Sequence, residues 1–151
     1  LEKSFLVKVA HNFTSSIAKQ VRSSKKQYVA HSSIVLAMLD YPPEAINTDV
    51  VGHLVEATIA NHLENVFFWR SPQKDEVDLV IKKRGKALPI EVKYRAQVTN
   101  ADLKSVLKFC NKFKVSEGIV VTKNLLEKRR INKIELLLIP AWLFLLMEFF
   151  Q

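Results

Sequence analysis

Residues 76–95 constrain the fold more than any other stretch, because charged side chains stand there inside two runs that otherwise read as buried β-strand. Asp78 interrupts Val77-Asp78-Leu79-Val80-Ile81, and Glu91 and Lys93 interrupt Leu88-Pro89-Ile90-Glu91-Val92-Lys93-Tyr94. Between the runs lies Lys83-Arg84-Gly85-Lys86, a basic turn in which glycine supplies the permissive backbone. Carboxylates embedded in apolar β-runs are costly unless paired, hydrogen-bonded or bound to a cation. The two runs therefore either fold together and gather their charges at one place, or expose a solvated polar strand face with local ion pairs.

Side chains alternate along a strand. On the later run Glu91 and Lys93 share one face, while Ile90, Val92 and Tyr94 share the other. On the earlier run strict alternation puts Val77, Leu79 and Ile81 on one face and Glu76, Asp78 and Val80 on the other. If the turn at Gly85 pairs the runs, Asp78 comes beside Glu91. Two hard carboxylates suit magnesium or manganese, which prefer oxygen ligands. Lys93 is placed to hold a scissile phosphate or steady an attacking water. Residues 50–64 read as a helix, with Val51, Val55, Ile59 and Leu63 at helical spacing and Glu56 at the margin of that face. Glu56 is thus a third candidate ligand, or a residue that orients a water.

Elsewhere, residues 3–21 show helix-compatible spacing through Phe5, Val9 and Phe13, Gln27–Ala30 is strand-like, and Ser33–Leu39 suits a short helix. Asp40-Tyr41-Pro42-Pro43 signals a turn, so residues 1–49 are expected to be an N-terminal helical and linker segment ahead of a domain over 50–151. Within that domain 65–70 is β-prone and 100–113 forms a helix with Leu103, Val106, Leu107, Cys110 and Phe113 on its apolar face. Strands follow at 118–122 and 134–139, then a proline break at Pro140 and a short terminal helix. Helix, three strands, helix and further strands make a mixed α/β layer with helices packed on a sheet.

The chain has 151 residues and a net charge of +8, an excess that favours polyanions and salt-sensitive binding to DNA. Lys128-Arg129-Arg130 forms the densest basic cluster, in an expected loop. Lys104, Lys108 and Lys112 line one side of the 100–113 helix and are candidates to track a nucleic-acid backbone. The single cysteine, Cys110, excludes an internal disulfide and a cysteine-based zinc site and fits a reducing cytoplasm. His11, His31, His53 and His62 show no metal-ligand spacing. The most membrane-like run, 134–150, carries Glu135, Pro140 and Glu148 and is too short to span a bilayer, so no membrane partner is expected. The aromatics Trp142, Phe144, Phe149 and Phe150 instead suggest a subunit or domain interface, including a homodimer. The opening residue is leucine and the chain enters amphipathic pattern at once, as expected of a piece of a longer protein.

Glu56, Val77-Asp78 and Glu91-Val92-Lys93, in helix–strand–strand order, resemble the PD-(D/E)XK nuclease superfamily of restriction endonucleases and Holliday junction resolvases. More narrowly, nearly the whole chain resembles the carboxy-terminal region of a group of prokaryotic AAA-type ATPases, a domain of unknown function with that nuclease-like fold. The matching stretches include Leu1–Leu6, Lys25-Lys26-Gln27-Tyr28-Val29, Gly52–Glu56, Trp69-Arg70-Ser71, Glu76–Val80 and Ile90–Lys93. The resemblance implies a restriction-endonuclease-like core in α-β-β-β-α-β order. It implies Asp78 and Glu91 as metal ligands, Lys93 as the catalytic lysine, Glu56 as the helix-borne acid, and an ATPase module upstream. Two departures stand out. His31-Ser32-Ser33 replaces the usual Asp-Thr-Gly after the short strand near Tyr28, and Val77 replaces the eponymous proline. No Gly-x-x-x-x-Gly-Lys loop occurs in these residues. The function expected is Mg2+- or Mn2+-dependent hydrolysis of DNA phosphodiesters. The alternative is an inactive nuclease-fold module for nucleic-acid or protein binding or for ATPase assembly.

Overall fold

A computed structural model describes residues 6–147 apart from Tyr41, Pro43, Ala45 and Arg84. The described elements, in chain order, are β1 (Val7–Asn12), α1 (Ile17–Arg22), β2 (Lys25–Val29), α2 (Ser32–Met38), α3 (Thr48–His62), β3 (Phe67–Arg70), β4 (Glu76–Lys83), β5 (Lys86–Lys93), α4 (Lys104–Phe113), β6 (Glu117–Thr122), β7 (Glu127–Ile131), β8 (Ile134–Pro140) and α5 (Ala141–Leu146). The eight strands form one mixed sheet in the order β2-β1-β3-β4-β5-β6-β8-β7. Pairs β1/β3, β5/β6 and β6/β8 are parallel and the other four antiparallel.

Residues 3–21 do not form one continuous helix where they are described: Val7–Asn12 is a strand, antiparallel to β2 and parallel to β3. Val7 and Val9 alternate with Lys8 and Ala10, and a β-branched run this short fits either period until a neighbouring strand takes its backbone groups. The helical part is only α1, capped by the Ser16 hydroxyl. Likewise Lys128–Arg130 lies not in a loop but in β7, which forms the sheet edge against β8. Its hairpin turns through Asn132, whose φ of +56° is one that asparagine tolerates. Phe149 and Phe150 lie outside the described residues.

The central strands of the sheet are buried on both faces. Helices α3 and α5 cover one, with Ile59, Ala60, Leu63 and Phe144 packed on Leu79, Ile81, Ile90, Val121 and Ile139. Helix α4 covers the other, with Val106, Phe109 and Cys110 on Trp69, Val77, Val80, Val120, Leu136 and Leu138. Phe109 is fully buried and stacks edge-on against Trp69 at 5.5 Å. Since β5 and β6 run parallel, the chain between them must cross over the sheet, and α4 is that crossover. Phe144 is core on α5, whereas Trp142 on the same helix is exposed. No helix among the described residues is long and apolar enough to cross a membrane.

Candidate functional site

The site begins with an irregularity in β4. Against β3, Phe67 pairs with Val80 but Trp69 pairs with Val77, so β4 carries one extra residue there. A bulge of this kind breaks the alternation of side chains and re-aims one of them. Val77 and Val80 consequently both face α4, while Leu79 and Ile81 face α3. This corrects the strict alternation expected along 76–81. Asp78 is freed from the regular pleat at the point where β4 and β5 part company. Their paired register ends at Leu79–Ile90, and beyond it the Asp78 carboxylate takes the place of a backbone acceptor. Its Oδ2 accepts the Val92 N–H at 2.8 Å.

Asp78 is the member common to two charge clusters. In the first, Lys26 on β2 points its ammonium at three carboxylates: Glu56 Oε1 at 2.5 Å, Glu76 Oε1 at 2.9 Å and Asp78 Oδ1 at 3.7 Å. Tyr28, two residues along the same strand, donates its hydroxyl to Glu56 Oε1 at 2.9 Å and to the Asp78 carbonyl at 3.2 Å. Arg70 closes the rim on Glu76, at 2.7 Å from its Nε. Burial alone would push Lys26 below an ordinary lysine. The charges of Glu56 and Asp78 and the hydrogen bonds to Glu56 and Glu76 outweigh it, so the ammonium is held charged well above the usual range. Burial and the Glu56 charge raise the Tyr28 phenol, which stays protonated as a donor.

In the second cluster Lys93 donates to Glu91 Oε1 at 2.6 Å, as expected for two residues on one strand face. Glu91 is only 3% exposed. Its second oxygen, Oε2, is buried and accepts no hydrogen bond among the described residues. An unsatisfied buried carboxylate oxygen is rare and costly. Burial, reinforced by the Asp78 charge and only partly offset by Lys93, pushes the Glu91 carboxyl up to about 8. Burial and the Glu56 charge push Asp78 in the same direction. Four carboxylates (Glu56, Glu76, Asp78, Glu91) face three basic groups (Lys26, Lys93, Arg70), and the proton that Glu91 holds below about pH 8 offsets the fourth.

This donor set fits a divalent cation in part. Asp78 and Glu91 offer hard oxygens, of which Glu91 Oε2 is unpartnered among the described residues. Glu56 is already engaged by Lys26 and Tyr28. Among the described residues no group of three or more histidine, cysteine, aspartate and glutamate side chains is arranged to hold a metal ion. His53 approaches Glu56 Oε2 only at 4.0 Å, from an exposed position.

The sequence reading placed Asp78, Glu91 and Lys93 together and put Glu56 beside Asp78. It did not single out Lys26, Tyr28 or Glu76. The alternation Lys26, Tyr28 on a strand was a signal for the first two, but nothing local showed that β2 would reach β4's acids. The expected nucleic-acid contacts are not gathered with these groups. Lys128 and Arg130 are exposed on the β7 edge, with Lys128 3.5 Å from Glu135. Arg129 is tied to Glu127 and to the Val98 carbonyl. Lys108 pairs with Asp75 at 2.6 Å and Lys112 lies over the Trp69 ring. Lys104 adds only its charge near Asp75.

Residues 44–142 match the family described as Domain of unknown function (DUF4143). The chain belongs to that family. No curated protein and no solved structure matches it. The DUF4143 match runs from just before α3 into α5 and encloses Glu56, Asp78, Glu91 and Lys93, while Lys26 and Tyr28 lie outside it.

Proposed function

We propose that this chain is a PD-(D/E)XK-like domain that cleaves DNA phosphodiesters with Mg2+ or Mn2+, as the effector end of an AAA-type ATPase. The observation that carries the reading is the buried, unpartnered Glu91 Oε2 beside Asp78 and Lys93. The order α3-β3-β4-β5-α4-β6 supports it, being the α-β-β-β-α-β order the resemblance implies. Asp78 and Glu91 are the residues to hold the ion, which when bound makes a water more acidic and stabilises charge on phosphate oxygens. Lys93 keeps its ammonium charged through Glu91, in spite of burial, and is placed to hold the scissile phosphate.

The test is cleavage of labelled linear and four-way-junction DNA with Mg2+ or Mn2+, beside Glu91→Ala. Cuts that need both metal and Glu91 are expected. Salt-sensitive DNA binding without cuts, unchanged by metal or by Asp78→Ala, would replace this reading with a binding module. Lys26 specifically favours that second reading, because an internal ammonium already satisfies Glu56 and Glu76.

A further inference from the structure

The parallel strands β5 and β6 end side by side at Lys93 and Thr122, and the residues that follow stay tied together. The Lys123 N–H donates to the Arg95 carbonyl at 3.3 Å. Arg95 and Lys123 line a cleft of about 320 Å3 together with Asn47 and Thr48, where α3 begins. The carboxyl ends of parallel strands are where α/β sheets take their ligands. No carboxylate lines this cleft among the described residues, so its fixed charge is positive. Lys123 is exposed, and its ammonium has no hydrogen bond or ion pair among the described residues. Arg95 gives one amino group to Asp102 and keeps further donors for a second anion. Asn47 already caps the Asp49 and Val50 N–H groups, so the two cations, rather than the helix end, are the groups to bind an anion. Arg95 is also near enough to Lys93 for its charge to be felt there.

We propose that this cleft is a subsite for a backbone phosphate of the DNA strand, next to the phosphate at Lys93, with Arg95 and Lys123 as the residues that hold it. The inference rests on the reading of Lys93 as the residue facing the scissile phosphate. A strand held there continues across the ends of β5 and β6, over Arg95 and Lys123. The cleft is near the lower end of the size of small-ligand sites, about 300 Å3, so it takes one phosphate with its sugar and excludes a duplex. Contacts of this kind fix the position of the strand and carry no base sequence. Arg95 and Lys123 thus bind and align substrate, while Asp78, Glu91 and Lys93 stand at the reacting phosphate.

The experiment measures binding of a labelled single-stranded oligonucleotide to the whole chain, in chelator and over a range of salt. It compares the unaltered protein with Lys123→Ala, Lys123→Arg and Arg95→Gln/Asp102→Asn, the last removing the cation without leaving its carboxylate unpaired. Lys19→Ala, an exposed lysine away from the cleft, is the control, and thermal unfolding shows that each variant folds. Lys123→Ala and the Arg95 double variant are each expected to weaken binding by about threefold or more at low salt and to reduce the salt slope by about one. Lys123→Arg should restore both. Under cleavage conditions Lys123→Ala should raise KM and leave kcat unchanged, as loss of uniform binding does. A Lys123→Ala protein that binds like the Lys19→Ala control overturns the subsite, as does failure of Lys123→Arg to restore binding. Pyrophosphate binding that depends on Lys123, with oligonucleotide binding that does not, overturns it in favour of a site for free phosphate compounds. Failure of the functional reading looks different: no variant cuts DNA with Mg2+ or Mn2+, whereas the dependence of DNA binding on Lys123 in chelator persists.

Discussion

At the scale of single residues, burial and neighbouring charge compete over each group, and Glu91 shows the outcome most clearly. Burial and Asp78 raise its carboxyl from 4.5 to about 8 against the pull of Lys93. The folded state therefore holds a proton that the unfolded chain has lost, and this contribution is complete below about 4.5. It is lost as pH rises towards about 8. Denaturant unfolding at several pH values should show stability falling across that window, by on the order of 1 kcal/mol per pH unit at most. Glu91→Gln should flatten the slope and stabilise the protein at the alkaline end. An unchanged slope in the variant would mean that Glu91 is ionised throughout. Glu76 sits at the opposite extreme: burial would raise it, but Lys26 and Arg70 hold it below the usual carboxylate range.

At the scale of elements, the helix carrying Glu56 is secured at both ends by side chains distant in sequence or type. Asn47 Oδ1 accepts the Asp49 and Val50 N–H groups at the start of α3, as a helix N-cap should. At its other end Lys8 of β1 donates to the carbonyls of Ala60, at 2.9 Å, and Leu63. These are groups that the helix itself leaves unpaired, and a cation there also complements the helix dipole. Lys8→Met should cost about 1 kcal/mol in unfolding free energy, and loosening α3 should lower the protection of the Glu56 amide from hydrogen exchange. A variant with unaltered stability would show the cap to be idle. Packing is close around Gly118 on the α4 side. A Cβ at Gly118 on β6 would meet Leu136 Cδ2 at 2.9 Å, with Pro89 and Val106 at 3.4 Å. Gly118→Ala should therefore destabilise by about 1–3 kcal/mol, read as a lowered midpoint in thermal or urea unfolding. Tolerance of the alanine would mean that Leu136 can re-pack without cost.

At the scale of the molecule, the charge of +8 makes a prediction about polyanions that does not depend on catalysis. Non-specific affinity for duplex DNA should fall linearly in log–log form with salt. Replacing Lys128 and Arg130, the exposed basic residues of β7, with alanine should reduce the slope by about two. A slope unaffected by both changes, or no DNA binding at all, would remove β7 as a DNA-binding face.

The long, patterned elements were legible from sequence. The α3 face, the β4–β5 hairpin around Gly85, the α4 crossover and β8 each carry enough periodicity or turn chemistry to declare themselves. Their packing also explains why Phe109, outside the stripe assigned to α4, is core: the buried face is turned towards it, and Leu107 and Phe113 are only half-buried. Short runs were not legible. Val7–Asn12 and Glu127–Ile131 became strands because an existing sheet edge accepted their hydrogen bonds, which no local propensity encodes. The same division holds at the site. The sequence by itself determined that Asp78, Glu91 and Lys93 stand inside apolar strand runs and must be compensated, by one another or by solvent, because embedded charge is costly. Only the tertiary structure decided the compensation. The β4 bulge set the aim of Asp78, and the pairing of β1 with both β2 and β3 carried Lys26 and Tyr28 across to Glu56. Strand order and register bring together residues dozens of positions apart, and both arise from sheet-wide hydrogen bonding that a local reading cannot supply.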